Sequence, residues 1–180
     1  MRVYKCIVTG DELFTDTYPI ETVGALYKIK GKYVTRSDKV DDSLLGANPS
    51  AEEQDEGTDE SSTSGINVVL DNRLQPTSFG TKKEYMAYFK DFVKRMEEFV
   101  KSKNPSVDLD AWRSGVQNAF KEIASNLKDY EFYTGESSNP DGNIALIKWE
   151  APPGETDEVP YAYFFVDGVK EEKVVCINFS

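Results

Sequence analysis

Two apolar stripes at helical spacing lie back to back in the middle of this chain. Strand-like runs stand on both sides of them and none stands between. Tyr85, Tyr88, Phe89, Phe92, Met96, Phe99 and Val100 recur at steps of three and four, and so do Leu109, Trp112, Val116, Phe120, Ile123 and Leu127. Thr81, with Glu84 three residues on, forms a capping box at the start of the first stripe. Asn104-Pro105 ends it, because a proline pushes the residue before it out of the helical region. The second helix starts near Asp108. Two helices joined by so short a link must run antiparallel, as a hairpin about 30 Å long.

The flanks read as strands. Residues 2–9 alternate through Val3, Lys5 and Ile7, and Gly10-Asp11-Glu12 turns the chain. Residues 17–23 and 25–36 carry more strand signal, with Lys30-Gly31-Lys32 as a hairpin tip. Ile66 to Leu70 reads as a strand re-entering the sheet, followed after the helices by Glu131–Thr134 and Ile144–Trp149. Val159–Val166 is expected to pair with Lys173–Phe179 through an Asp167-Gly168 turn. Without βαβ alternation, the fold class is α+β with an antiparallel or mixed sheet. The 180 residues make one domain, 1–180, with the hairpin at about 81–128.

One segment stands apart. Gly46 to Gly65 has no aromatic and no branched aliphatic residue. No Lys or Arg occurs from Val40 to Asn72, a span with nine acids in a chain of net charge −11. Such a stretch cannot bury enough surface to offset its ordering entropy, so a mobile acidic loop is expected at about 38–65. A loop of that length inside a compact domain is usually functional or a tether.

Composition removes several function classes. With no histidine, the commonest general base, Ser–His and Cys–His nucleophiles and His-ligated metals are excluded. The two cysteines, Cys6 and Cys176, are too few for a structural zinc, and a reduced, cytoplasmic protein is expected rather than a Cys6–Cys176 bridge. The first residues lack an apolar leader core, and no run reaches the roughly 20 apolar residues of a membrane span. The sequon Asn178-Phe179-Ser180 reads as chance. The acidic balance argues against nucleic acid. A monomer is expected.

Candidate chemistry is of the binding kind. Residues 81–103 carry seven cations (Lys82, Lys83, Lys90, Lys94, Arg95, Lys101, Lys103) against four acids, a local +3. This is either a solvated helix face or a basic surface for an acidic partner. Glu52, Glu53, Asp55 and Glu56 could collect Ca²⁺ diffusely, with an affinity of about 10⁻⁴ to 10⁻³ M, and Asp141 lies in an oxygen-rich Asn139-Pro140-Asp141-Gly142 segment that otherwise reads as a plain turn. Ser50, followed by Ala51-Glu52-Glu53, reads as a one-turn cap or as the acceptor of an acid-directed kinase. No nucleophile has a visible activating base. An enzyme is the least favoured reading, resting only on carboxylate pairs among 32 acids.

Two stretches carry a family resemblance. Leu45-Gly46-Ala47-Asn48-Pro49-Ser50-Ala51-Glu52 resembles the first signature of the translationally controlled tumour protein family. Leu127 to Glu136, continuing through Asn139–Gly142 to Ala145-Leu146, resembles its second. Asp11-Glu12, Asp41–Leu44, Thr77-Ser78-Phe79, Asp167-Gly168 and Glu172-Lys173 match in order, so the resemblance spans the chain. It implies a tent-like β core with a projecting helical hairpin and a mobile acidic loop. It also implies cytosolic regulatory binding proteins, linked to calcium, to tubulin and microtubules, and to Rheb-type small GTPases whose nucleotide exchange they stimulate. Anti-apoptotic partners and a histamine-releasing activity outside cells, by leaderless secretion, are further associations. A calcium-buffering or anti-apoptotic interaction protein is the alternative. By this resemblance Glu12, Leu74 and Glu136 line the GTPase surface, and Lys82 to Lys103 the tubulin and calcium region. The related Rab-binding proteins carry zinc, for which this chain lacks the ligands. Relatives often end in Glu-Lys-Cys, whereas Cys176 here is followed by four more residues, which removes the basis for a dimer through a terminal cysteine.

Overall fold

The computed structural model describes residues 1–37 and 62–174. The acids from Asp41 to Glu60, Ser50 and Cys176 lie outside the described residues. Eleven strands and three α-helices are described: β1 Arg2–Cys6, β2 Glu12–Thr15, β3 Ile20–Val23, β4 Leu26–Lys30, β5 Tyr33–Ser37, β6 Ser62–Ile66, α1 Asn67–Asp71, β7 Gln75–Thr77, α2 Lys82–Lys103, α3 Leu109–Ser125, β8 Glu131–Thr134, β9 Ala145–Glu150, β10 Val159–Phe165 and β11 Val169–Lys173. Six strands form the central sheet in the order β3-β4-β10-β9-β8-β7, three form a second in the order β11-β1-β2, and β5-β6 is a separate ribbon. Every ladder among the described residues is antiparallel.

Strand alternation divides the core in two. On one face of the central sheet Leu26, Phe132, Leu146 and Phe165 pack against Tyr85, Phe89, Phe92 and Met96 of α2 and Val116, Phe120 and Ile123 of α3. On the other, Ile29, Ala145, Ile147, Ala162 and Phe164 meet Tyr4, Cys6, Leu13 and Phe14 of the three-stranded sheet. Residues 145, 146 and 147 alternate between the two clusters, as the pleat requires. Each large apolar side chain so buried contributes about 1.5–3 kcal/mol of transfer free energy.

The helix signals act as the sequence suggests. The Thr81 hydroxyl accepts the Glu84 amide at 3.2 Å, and the Glu84 carboxylate accepts the Gly80 amide at 2.7 Å. The Asp108 carboxylate caps α3 through the amides of Asp110 and Ala111 at 3.1 and 3.2 Å. Tyr85 stacks on Phe120 at 5.7 Å, and Phe89 on Phe120 at 4.6 Å, closing the hairpin.

Five local expectations are corrected. Ser62–Gly65, expected within the mobile loop, belong to β6 and pair with β5. Residues 17–19 are not strand; β3 starts at Ile20 after the Thr15–Thr17 turn. Lys30-Gly31-Lys32 is not a hairpin tip: β4 already has β3 and β10 on its two edges, so β5 pairs with β6 instead. Gly31 marks the crossing, its amide on the Pro160 carbonyl at 2.8 Å, where an added Cβ would lie 3.0 Å from Asn67 Oδ1. Residues 67–71 form a helical turn rather than a strand, because the Asn67 side chain accepts the amides of Lys32 and Val68, both at 2.9 Å, and stops the ladder. So short an apolar run does not distinguish the two by its periodicity. Finally, β11 begins at Val169 and pairs with β1, not β10. A 3-10 turn at Val166–Gly168 redirects the chain, tied to α3 by the Trp112 indole on Asp167 at 2.7 Å.

Candidate functional site

Three stretches far apart in sequence meet at an open recess of about 430 Å³: Gly10–Glu12, Asp71–Arg73 and Glu136. Their convergence has local causes. Gly10 takes φ 78, turning the chain into β2, and a bulge between Tyr4 and Lys5 shifts the β1–β2 register there. The Asp11 carboxylate accepts the Ser137 hydroxyl at 2.6 Å and its amide at 3.3 Å. Gly135 permits that approach, since an added Cβ would stand 2.4 Å from Asp11 Oδ2.

The end of α1 supplies the opposite wall. Leu74 donates its amide to the Val69 carbonyl at 3.0 Å, and Arg73 its amide to that of Leu70 at 3.4 Å. This is the Schellman pattern, whose left-handed position usually holds glycine. Here Arg73 holds it, with φ 55. Leu74 is 4% exposed, and its side chain is the apolar anchor of the motif. Of the three residues expected at this surface, Glu12 and Glu136 border the recess, and Leu74 lies in the core beneath it.

The recess has four carboxylates, from Asp11, Glu12, Asp71 and Glu136, against the Arg73 guanidinium. Arg73 pairs with Glu136 at 3.2 Å. Asp71 is held by the Arg36 guanidinium and the Tyr18 hydroxyl. Burial pushes the Asp71 carboxyl up, but those two partners outweigh it and hold the group below its ordinary value. Glu12 is exposed and has no cationic partner among the described residues.

The expected basic residues, Lys82, Lys83, Lys90, Lys94, Arg95, Lys101 and Lys103, are all exposed on α2. At 100° per residue, Lys83, Lys90, Lys94 and Lys101 fall in one line, opposite the stripe of Tyr85, Phe89, Phe92, Met96 and Val100 that α2 buries. The line is about 27 Å long. Lys101 pairs with Glu97 at 3.8 Å; the other three have no carboxylate partner among the described residues.

The Asn139–Gly142 segment is a turn with a structural job. Asp141 donates its amide to Asn139 Oδ1 at 2.9 Å, and its own side chain is exposed. The Tyr88 hydroxyl of α2 donates to the Gly142 carbonyl at 2.6 Å and accepts the Ile144 amide at 3.1 Å. An added Cβ on Gly142 would lie 2.9 Å from Thr9 and 3.1 Å from Cys6. Among the described residues no group of three or more Cys, Asp or Glu is arranged to hold a metal ion. No helix among them is long and apolar enough to cross a membrane.

These features define a class: a small antiparallel α+β domain with a helical hairpin packed on one face of its central sheet. A family model described as translationally controlled tumour protein matches residues 1–170. Homologues of that protein from the fish Lateolabrax japonicus and from Drosophila melanogaster are each 43% identical over 175 residues, covering 96% of this chain and 99% of theirs. The solved structure of the tumour-associated protein p23fyp from Schizosaccharomyces pombe superposes with a TM-score of 0.74 at 35% identity, covering 97% of this chain and all of that one. The structure from Caenorhabditis elegans gives 0.68 at 30% identity, with 97% of this chain covered. The chain belongs to the translationally controlled tumour protein family.

The sequence pointed to Glu12 and Glu136 only through the family signatures. It did not reveal Asp11, Asp71 and Arg73 as their neighbours. Arg36–Asp71 and Arg73–Glu136 join residues 35 and 63 positions apart, and no periodicity reports such pairs.

Proposed function

We propose that this chain is a cytoplasmic regulatory binding protein that docks a small GTPase of Rheb type at the recess and favours nucleotide exchange there. The partner class comes from the family resemblance. The observation that carries the reading is Arg73, a charged side chain held in a backbone conformation that glycine prefers, facing Glu136 beside the unpaired Glu12. Left-handed backbone at a non-glycine residue costs of order 1 kcal/mol and concentrates at functional sites. Leu74 serves by anchoring Arg73, not by touching the partner.

The test is Glu12→Ala in a binding and nucleotide-release assay with a Rheb-type GTPase. An exposed acid tolerates replacement within about 0.5 kcal/mol of stability, so the fold is expected to survive while binding is lost. Wild-type binding by a folded variant would sink the assignment.

The line of Lys83, Lys90, Lys94 and Lys101 favours a second reading, a surface for the acidic tails of tubulin. Weak calcium binding at the acids from Glu52 to Glu56 and at Asp141, and phosphorylation of Ser50, belong to the same proposal. None of these roles asks for catalysis.

A further inference from the structure

A second cavity, of about 450 Å³, lies between α3 and the helix-facing side of the central sheet, closed at one end by the β3–β4 turn. Its apolar surface comes from Leu26 and Ile123, and its aromatic walls from Tyr130 and Tyr163, whose rings meet edge to face at 6.2 Å. A volume of this size suits a small molecule.

Four charged side chains line the cavity, Lys28, Lys148, Glu150 and the exposed Glu122, and they are unevenly satisfied. The Glu150 Oε1 atom takes both the Lys28 ammonium, at 2.8 Å, and the Tyr163 hydroxyl, at 2.7 Å. Its second oxygen bonds nothing among the described residues. Burial raises the Glu150 carboxyl, but those two partners and the charge of Lys148 outweigh it and hold the group below its ordinary value. Lys148 stands two residues away on the same face of β9, about 6.6 Å along the strand. It is half-buried over the Tyr130 ring at 5.8 Å and pairs with no carboxylate among the described residues. The Tyr130 hydroxyl also has no partner among them. An open donor and an open acceptor thus sit side by side, flanked by rings, beside an apolar floor.

We propose that this cavity binds a free α-amino acid with an aromatic or branched aliphatic side chain. The carboxylate of the ligand sits on Lys148 and the Tyr130 hydroxyl, its ammonium on the free oxygen of Glu150, and its side chain between Tyr163, Leu26 and Ile123. A ligand of one sign alone uses one of the two open groups and faces the like charge of the other. The zwitterion uses both and leaves the local charge balanced. This site is separate from the recess and independent of any GTPase.

The experiment is an amide-resolved NMR titration of the full chain with L-phenylalanine, 3-phenylpropanoate and phenethylamine, which present the zwitterion and each half of it. Saturable shifts are expected at 24–28, 115–123 and 146–150 with L-phenylalanine. 3-Phenylpropanoate loses the bond to Glu150 and phenethylamine the bonds to Lys148 and Tyr130, and each is expected to bind roughly tenfold weaker or more. Lys148→Met, which keeps the length of the chain, should weaken L-phenylalanine by a similar factor. No saturable shift, equal binding of a half-ligand, or unchanged affinity in a folded Lys148→Met variant would each overturn the proposal. The ligand series on the wild-type chain decides the matter even if that variant fails to fold.

Discussion

Removing one oxygen from Tyr88 should cost more than its size suggests. Its hydroxyl accepts the Ile144 amide, which lies just before β9, and donates to the Gly142 carbonyl. Both backbone groups belong to buried residues. Burial, then the nearby Tyr85, push the phenol well above its ordinary value, so it stays neutral and able to donate. In Tyr88→Phe one acceptor and one donor are left unpaired, at about 1–3 kcal/mol each, or about 2–4 kcal/mol in all after partial relaxation. For a chain of this length that lowers Tm by about 4–16 °C. Urea unfolding should show the same loss with an unchanged m-value, since the surface exposed on unfolding is the same. Tyr85→Phe is the control. Tyr85 is 1% exposed, and its hydroxyl bonds no described residue, so that change should stay within about 0.5 kcal/mol. Because Gly142 lies against Thr9 and Cys6, Tyr88→Phe should also move the amide resonances of Thr9 to Glu12. A loss below about 0.5 kcal/mol, or an equal loss from Tyr85→Phe, would refute the reasoning.

Other expectations are as direct. Arg73→Gly should leave stability unchanged or raise it by up to about 1 kcal/mol, since glycine suits the left-handed position, while weakening GTPase binding; thermal unfolding and a pull-down separate the two effects. Gly135→Ala should destabilise the chain and break the Asp11–Ser137 bonds, because its Cβ would overlap Asp11; a stability at the wild-type level would show that the turn can move. Asp71, held below its ordinary value of 3.8, contributes stability that is complete above that value and is lost as pH falls through the lower folded one. Arg36→Met should therefore flatten the acid limb of a stability–pH curve below about pH 4 and leave its slope near neutrality unchanged. Replacing Lys83, Lys90, Lys94 and Lys101 by Glu should abolish microtubule co-sedimentation, and for the wild-type chain that binding should fall as salt rises; salt-independent sedimentation would count against the lysine stripe.

The sequence made legible what depends on neighbours. The stripe from Tyr85 to Val100, the Thr81 cap, the break at Asn104-Pro105 and the Asp108 cap are all local, and α2 and α3 follow them. The strands were legible as strands from alternation at Arg2–Cys6 and from an apolar, aromatic run at Val159–Phe165. Their partners were not. Val169–Lys173 joins β1 across the whole length of the chain, and nothing in its five residues says so. Ile66–Leu70 failed for a different reason. An apolar run of that length fits a strand or a helical turn, and the deciding group is the Asn67 side chain, whose partner Lys32 is distant in sequence.

The same division explains where the candidate sites lie. A sheet with apolar groups on both faces must be covered on both, here by the hairpin on one and β11-β1-β2 on the other. Among the described residues, the surfaces left free include turns at strand ends, the outer face of α2 and the gap where α3 stands off the sheet. The recess uses the first, the lysine stripe the second and the α3 cavity the third. The recess is assembled by tertiary register, so it depends on a few close approaches: Gly135 against Asp11, Gly142 against Cys6, Leu74 beneath Arg73. Tyr88 bonds across one of these joints, from the buried side of α2 to the turn that backs the Glu12 strand. A helix whose outer face carries the lysines is thereby tied through one hydroxyl to the far recess. The two surfaces share that support and no contact residue, so losing Tyr88 should weaken the recess while leaving the exposed lysine stripe in place.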